Sequence, residues 1–107
     1  IYGAEKQKLL NLEAENPNYG DVISKSLPLR ISQIIWAVRH EMARTIEDML
    51  ARRVRGLFLD VNESLRIAPK VAQVMAEELH KSPNWIENQL REFKTTARNY
   101  QLADNET

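Results

Sequence analysis

Apolar residues in this chain recur at helical rather than strand spacing. Ile31, Ile34, Ile35, Val38 and Met42 fall at i, i+3, i+4, i+7 and i+11, one stripe of a 3.6-residue repeat, which predicts an amphipathic helix. Thr45, with Asp48 three residues on, forms a variant of the capping box, in which a hydroxyl takes an early amide and a carboxylate sits at the positive helix end. A second helix is therefore expected from Thr45, carrying Ile46, Met49, Leu50 and Val54 inward. Gly56 offers it a stop, although Leu57, Phe58 and Leu59 prolong the apolar face. Asp60 or Asn62 can cap a short helix through Ile67. Pro69 lacks an amide and opposes a helical Ala68, so a break or kink is expected there, with Val71, Val74, Met75 and Leu79 running on to about His80.

Ser82-Pro83 reads as an N-cap followed by proline at the first helical position, where the missing amide costs nothing. Ile86, Leu90, Phe93, Ala97 and Tyr100 would line the inner face of that last helix, with Glu87 and Arg91 paired outside. At the other end Leu9, Leu10 and Leu12 follow a charged turn, predicting a first helix over 4–12. Between them Asn16-Pro17-Asn18-Tyr19-Gly20-Asp21 and Ser26-Leu27-Pro28 predict an irregular connection over 15–29. That length is unusual for a helix-to-helix link and suggests local structure or a functional contact. No fixed repeat or linker divides the pattern. The expectation is one all-α domain over 1–107, a compact bundle of about five or six helices.

Composition narrows the function classes. The 107 residues suffice for a single core, and three glycines with seven aromatic residues suit helices. Fifteen basic side chains balance fifteen acidic ones, so there is no net field to draw a polyanion, and a non-specific nucleic-acid binder is disfavoured. Without cysteine there is no disulfide framework and no thiolate nucleophile or metal ligand. No apolar run, Gly56-Leu57-Phe58-Leu59 included, approaches the roughly 20 residues a membrane-spanning helix needs. The chain opens at Ile1 rather than Met, and the expectation is a piece of a longer polypeptide cut at a domain boundary.

Candidate chemistry is sparse. His40-Glu41-Met42-Ala43-Arg44 starts like the zincin signature, but Arg44 stands where the second imidazole would be. His40 is better read as a partly exposed imidazole bonded to a neighbouring element. Arg39, Arg44, Arg52, Arg53 and Arg55 could grip phosphate, yet Glu41, Glu47 and Asp48 interleave with them, and Asp48 precedes Arg52 by one turn. A salt-bridged face or a polar contact with another domain fits that mixture better. A helix-turn-helix reading of the central pair lacks both the turn glycine and the net positive charge. Trp36, Phe58, Trp85, Phe93 and Tyr100 fall mostly on apolar stripes and read as core. There is no glycine-rich phosphate loop and no nucleophile with a base, so no catalytic, cofactor-binding or metal residue is assigned to this chain.

The run from Ala37 to Arg53, AVRHEMARTIEDMLARR, closely resembles the signature segment in the C-terminal helical domain of FAD-dependent glycerol-3-phosphate dehydrogenases. RGLFLD at 55–60, APKVA at 68–72 and MAEEL at 75–79 are similar to that domain in the same order, as is Tyr2-Gly3 at its entry. The chain departs from the family after Leu79, where His80-Lys81-Ser82-Pro83-Asn84-Trp85 stands in place of an early glycine and tryptophan, which bears on the local turn. The resemblance implies a cap packed on a catalytic N-terminal domain of the same polypeptide. That domain would hold FAD and the substrate site and oxidise sn-glycerol 3-phosphate to dihydroxyacetone phosphate, with quinone or oxygen as the final acceptor. It also implies a cytoplasmic location, with peripheral docking at the inner face of a membrane open to the parent enzyme. On this reading Arg39, Glu41, Arg44, Glu47, Asp48, Arg52 and Arg53 divide between holding the central helices together and contacting the catalytic domain. The rival readings are an independent helical module that binds protein or nucleic acid, and a helical metalloenzyme built on His40.

Overall fold

The computed structural model describes the backbone of residues 2–53 and 60–106 and the side chains of residues 6–51 and 60–101. Helix α1 spans Tyr2–Glu15, longer at both ends than its leucines predict. Asn16 then bends the chain, its Oδ1 accepting the Asn18 amide at 3.1 Å, and a 3₁₀ turn covers Pro17–Gly20. The connection expected to be irregular is partly ordered: β1 (Val22–Ser24) pairs antiparallel with β2 (Leu29–Arg30) in a hairpin, with a bulge between Val22 and Ser24. Such strands are too short to show alternation, and the hairpin is anchored from elsewhere in the chain. The buried Ser24 hydroxyl donates to Glu63 Oε2 at 2.5 Å and accepts the Leu27 amide at 3.1 Å.

Helix α2 runs Ile31–His40, with the Arg30 amide bonded to Gln33 Oε1 at 2.8 Å. Ile34, Ile35 and Val38 are buried as the stripe predicts, but Met42 is not. The helix ends at His40, Met42 adopts φ +61°, and its side chain is 73% exposed. The Ala43 amide then reaches back to the Ala37 carbonyl at 3.2 Å. The apparent fifth member of the stripe is thus a coincidence of spacing beyond the helix end.

The expected helix from Thr45 opens with its capping box in place; Ile46 and Glu47 are α-helical and lead into a π-helix over Asp48–Arg53. Ile46, Met49 and Leu50 are fully buried, while the expectations for Val54, Gly56 and Leu57–Leu59 lie outside the described residues. Helix α3 then runs unbroken from Val61 to Leu79, capped by Asp60 Oδ1 on the Glu63 amide at 3.0 Å. Of the break or kink expected at Pro69, the break does not occur. Pro69 sits on the exposed face, where the Leu65 carbonyl deprived of its amide can be satisfied by water, and neighbouring Ile67, Ala68, Val71 and Ala72 are buried. Full burial of each Ile or Val contributes roughly 1.5–3 kcal/mol, enough for one turn of packing to outweigh the proline defect of about 3 kcal/mol.

At its end the chain turns on His80, in the left-handed conformation (φ +57°, ψ +49°), and the Lys81 amide bonds the Ala76 carbonyl at 2.9 Å. This is the six-to-one bond of a Schellman turn, whose left-handed position usually falls to glycine. Helix α4, Pro83–Glu106, starts where Ser82-Pro83 predicts, with the Trp85 amide on the Ser82 carbonyl at 3.0 Å. Phe93 and Ala97 are buried and Ile86, Leu90 and Tyr100 pack against the core. The expected outer Glu87–Arg91 pair is replaced by Arg91 Nη1 donating to Asn88 Oδ1 at 3.2 Å. Helix α3 is the centre of the domain, packing α2 on one side and α4 on the other. No helix among the described residues is long and apolar enough to cross a membrane.

Candidate functional site

The charged signature occupies the corner where the chain leaves α2 and enters the π-helix. A helix end leaves carbonyls without amides, and a helix start leaves amides without carbonyls, so the corner needs polar side chains at fixed places. Arg44 supplies the first need, its Nη1 donating to the Val38 carbonyl at 2.9 Å and the Ala43 carbonyl at 2.8 Å. Thr45 and Asp48 supply the second. Thr45 Oγ1 accepts the Asp48 amide at 3.0 Å, and Asp48 Oδ2 accepts the amides of Arg44 at 2.9 Å and Thr45 at 3.2 Å. The Ile46 amide goes to Gln89 Oε1 at 3.0 Å, which ties the corner to α4.

Arg39 faces the other way, along α2 toward α3. Its Nε donates to Glu78 Oε1 at 2.7 Å and its Nη2 to Oε2 at 3.4 Å, and the hydrogen bond to Glu78 raises the guanidinium pKa. Glu41 and Glu47 are exposed. The side chains of Arg52 and Arg53, and with them the expected Asp48–Arg52 pair, lie outside the described residues. The structure therefore gathers Arg39, Arg44 and Asp48 into contacts within the domain. Sequence reasoning missed the partners Glu78 and Gln89, which stand 39 residues from Arg39 and 43 from Ile46 and leave no local signal.

His40 does not bond a neighbouring element as expected. Its ring stacks on Trp36 one turn earlier in α2, with centroids 4.0 Å apart and planes tilted by 36°, while Lys8 Nζ stands 5.4 Å from the Trp36 ring centre. Among the described residues no three His, Asp or Glu side chains come together to hold a metal ion.

A second polar network joins the hairpin to α3. Glu63 takes Arg66 Nε at 2.6 Å and Nη2 at 2.7 Å besides the Ser24 hydroxyl. The Arg66 bond first, and the Ser24 bond second, hold the Glu63 carboxyl down to about 2 from an ordinary 4.5. Two of the grooves formed by the described residues matter here. One, of about 690 Å³, lies between α1, the hairpin and the start of α2. The other, of about 470 Å³, lies between the 3₁₀ turn, α2 and α3. Of the signature residues whose side chains are described, Arg39, Glu41, Arg44, Glu47 and Asp48, none lines either one.

With that geometry in view, comparison with known proteins is informative. Residues 1–86 match the family described as the C-terminal domain of alpha-glycerophosphate oxidase. The chain is 30% identical over 87 residues, 81% of its length, to the mitochondrial glycerol-3-phosphate dehydrogenase of Saccharomyces cerevisiae. It is 32% identical over 73 residues, 68% of its length, to the enzyme of the same name from Schizosaccharomyces pombe. With the aerobic glycerol-3-phosphate dehydrogenase of Staphylococcus aureus it shares 27% identity over 106 residues, 98% of its length. The chain spans only 11% of the length of the yeast relatives and 18% of the bacterial one. No solved structure matches it.

Proposed function

This chain belongs to the family of C-terminal domains of alpha-glycerophosphate oxidase, and from that premise we propose that it is the non-catalytic helical cap of an FAD-dependent glycerol-3-phosphate dehydrogenase. The parent would oxidise sn-glycerol 3-phosphate to dihydroxyacetone phosphate. The observation that carries the reading is the employment of the signature's polar groups. Arg39, Arg44, Thr45 and Asp48 bond helix ends and neighbouring helices, not a common cavity in which a substrate could react. FAD does not fit this chain. Its pyrophosphate calls for a strand, a Gly-x-Gly-x-x-Gly turn and a helix, and the three glycines here stand at 3, 20 and 56. The flavin is accordingly assigned to the catalytic part of the parent, together with the substrate.

Within this reading Glu41 and Glu47, exposed on the corner, and Arg52 and Arg53 are the signature residues proposed to meet the catalytic part, while Arg44 and Asp48 hold the corner and Arg39 ties α2 to α3. A cytoplasmic location, with peripheral association of the parent at a membrane, belongs to the same proposal. The test is to purify the chain alone and as the tail of its parent. Flavin absorbance and glycerol 3-phosphate-dependent dye reduction are then measured on each. The expected result is a folded, helical chain with neither property and a parent with both. Flavin bound by the chain alone, or turnover by it, would overturn the reading; a parent without flavin would favour the independent binding module.

A further inference from the structure

Resting on the reading of this domain as the cap of a catalytic part, we propose that the groove between α1, the hairpin and α2 is the seat of an acidic, apolar-flanked segment of that part. Two of the large apolar side chains most open to water, Leu10 at 46% and Val22 at 52%, stand on its walls, beside Leu9 and Leu29. Lys6, Lys25 and Arg30 line it too, a local excess of positive charge in a chain that is neutral overall. Among the described residues Glu13 is the carboxylate that lines it, bonded to Arg30 Nη1 at 3.1 Å, which leaves the two lysines as cations of the groove without a described acidic partner.

The groove also closes on the start of α2, where the Arg30 and Ile31 amides are already bonded to Gln33 Oε1 and the Asp21 carbonyl but the helix dipole still favours negative charge. At that place lies Ser32, 1% exposed, whose hydroxyl has no hydrogen-bond partner. Buried hydroxyls are nearly always bonded, so this one lacks an acceptor that a carboxylate would provide. The combination selects the occupant. A bare phosphate would leave the Leu10 and Val22 walls in water, and a purely apolar segment would strand the lysines and Ser32. A carboxylate between apolar side chains satisfies all three.

The proposal is tested on the full-length parent by placing a photoreactive benzophenone amino acid at position 22 and, separately, at position 47, and mapping the photoproducts by mass spectrometry. Position 22 is expected to cross-link to an acidic segment preceding Ile1, and Lys25→Glu is expected to cut that yield several-fold. Ser32→Ala should also cut the yield, yet raise the melting temperature of the chain alone, because it removes a buried unbonded hydroxyl; a purely structural serine would lower both or move neither. Cross-linking from 47 but not from 22 would overturn the groove and leave the docking of the cap standing. Products from neither position would overturn the docking as well, and a product from 22 to a second copy of this chain, or one insensitive to Lys25→Glu, would overturn the acidic occupant.

Discussion

Replacing His80 by glycine should make this domain more stable. His80 is exposed and sits at φ +57° and ψ +49°, between the end of α3 and Ser82-Pro83. A β-carbon in that region crowds the following carbonyl, which costs roughly 1–2 kcal/mol for an ordinary L-residue. Glycine removes that cost but adds back about 0.5–1 kcal/mol through the greater freedom of the unfolded chain. The bonds from the His80 and Lys81 amides to the Ala76 carbonyl involve only backbone and survive the change. The net gain expected is about 0.5–1 kcal/mol, a rise of about 2–8 °C in the melting midpoint for a domain of this size. Asparagine, which tolerates the left-handed region, should fall between glycine and histidine, and alanine should give no gain. Far-ultraviolet circular dichroism melts of the four variants, with urea midpoints as a check, would read the order directly. A glycine variant that melts at or below the wild-type midpoint would refute the reasoning, since it would mean that the imidazole makes contacts outweighing the strain.

Phe93→Ala should cost about 3–5 kcal/mol, because Phe93 is 2% exposed in the seam between α4 and the core, and a folded variant with an unchanged urea midpoint would place that stripe in water. Arg44→Ala should cost about 0.5–1.5 kcal/mol through the two carbonyls it leaves unbonded, and Arg44→Lys should fail to restore the loss because an ammonium lacks the planar fork; full rescue by lysine in denaturant titrations would contradict the capping role. Glu63 contributes a pH-dependent term of known sign. Its folded pKa of about 2 lies below its ordinary 4.5, so the contribution is complete above about 4.5 and fades as pH falls from there toward 2. Urea midpoints measured across that window should therefore fall more steeply for the wild type than for Glu63→Gln, and parallel curves would show that the network with Ser24 and Arg66 does not hold the carboxylate charged.

What could be read from the sequence was local. The Thr45 and Asp48 capping box is a matter of three-residue spacing, Ser82-Pro83 announces a helix start by its own backbone chemistry, and the Ile31–Val38 and Ile86–Tyr100 stripes follow the helical repeat. What could not be read depends on partners far along the chain. The hairpin has strands of three and two residues, too few to alternate, and is fastened by Ser24 to Glu63, 39 residues away. Pro69 carried a strong local signal for a break, which tertiary burial on the opposite face of α3 overrode. Met42 continued a stripe on paper because spacing alone cannot register that the preceding residue has already left the helix.

The signature that resembled a family most strongly is also the segment with the sharpest structural demands, and the two facts are connected. Over residues 39–48 the chain must end one helix, pass through a left-handed residue at Met42, and begin a π-helix, all against a core in which Ala43, Ile46 and Met49 are buried. The part-buried backbone groups of such a corner call for partners, met by a long donor for the carbonyls of α2 and a hydroxyl with a carboxylate for the amides that follow. Arg44, Thr45 and Asp48 are those groups, and Gln89 extends the same service from α4. Covering helix ends thus accounts for arginine, threonine and aspartate at this fixed spacing. On the proposed reading, contact with the catalytic part falls to what this corner presents outward. Met42, 73% exposed at a strained position, stands there with Glu41 and Glu47, held out by the residues that make the signature recognisable.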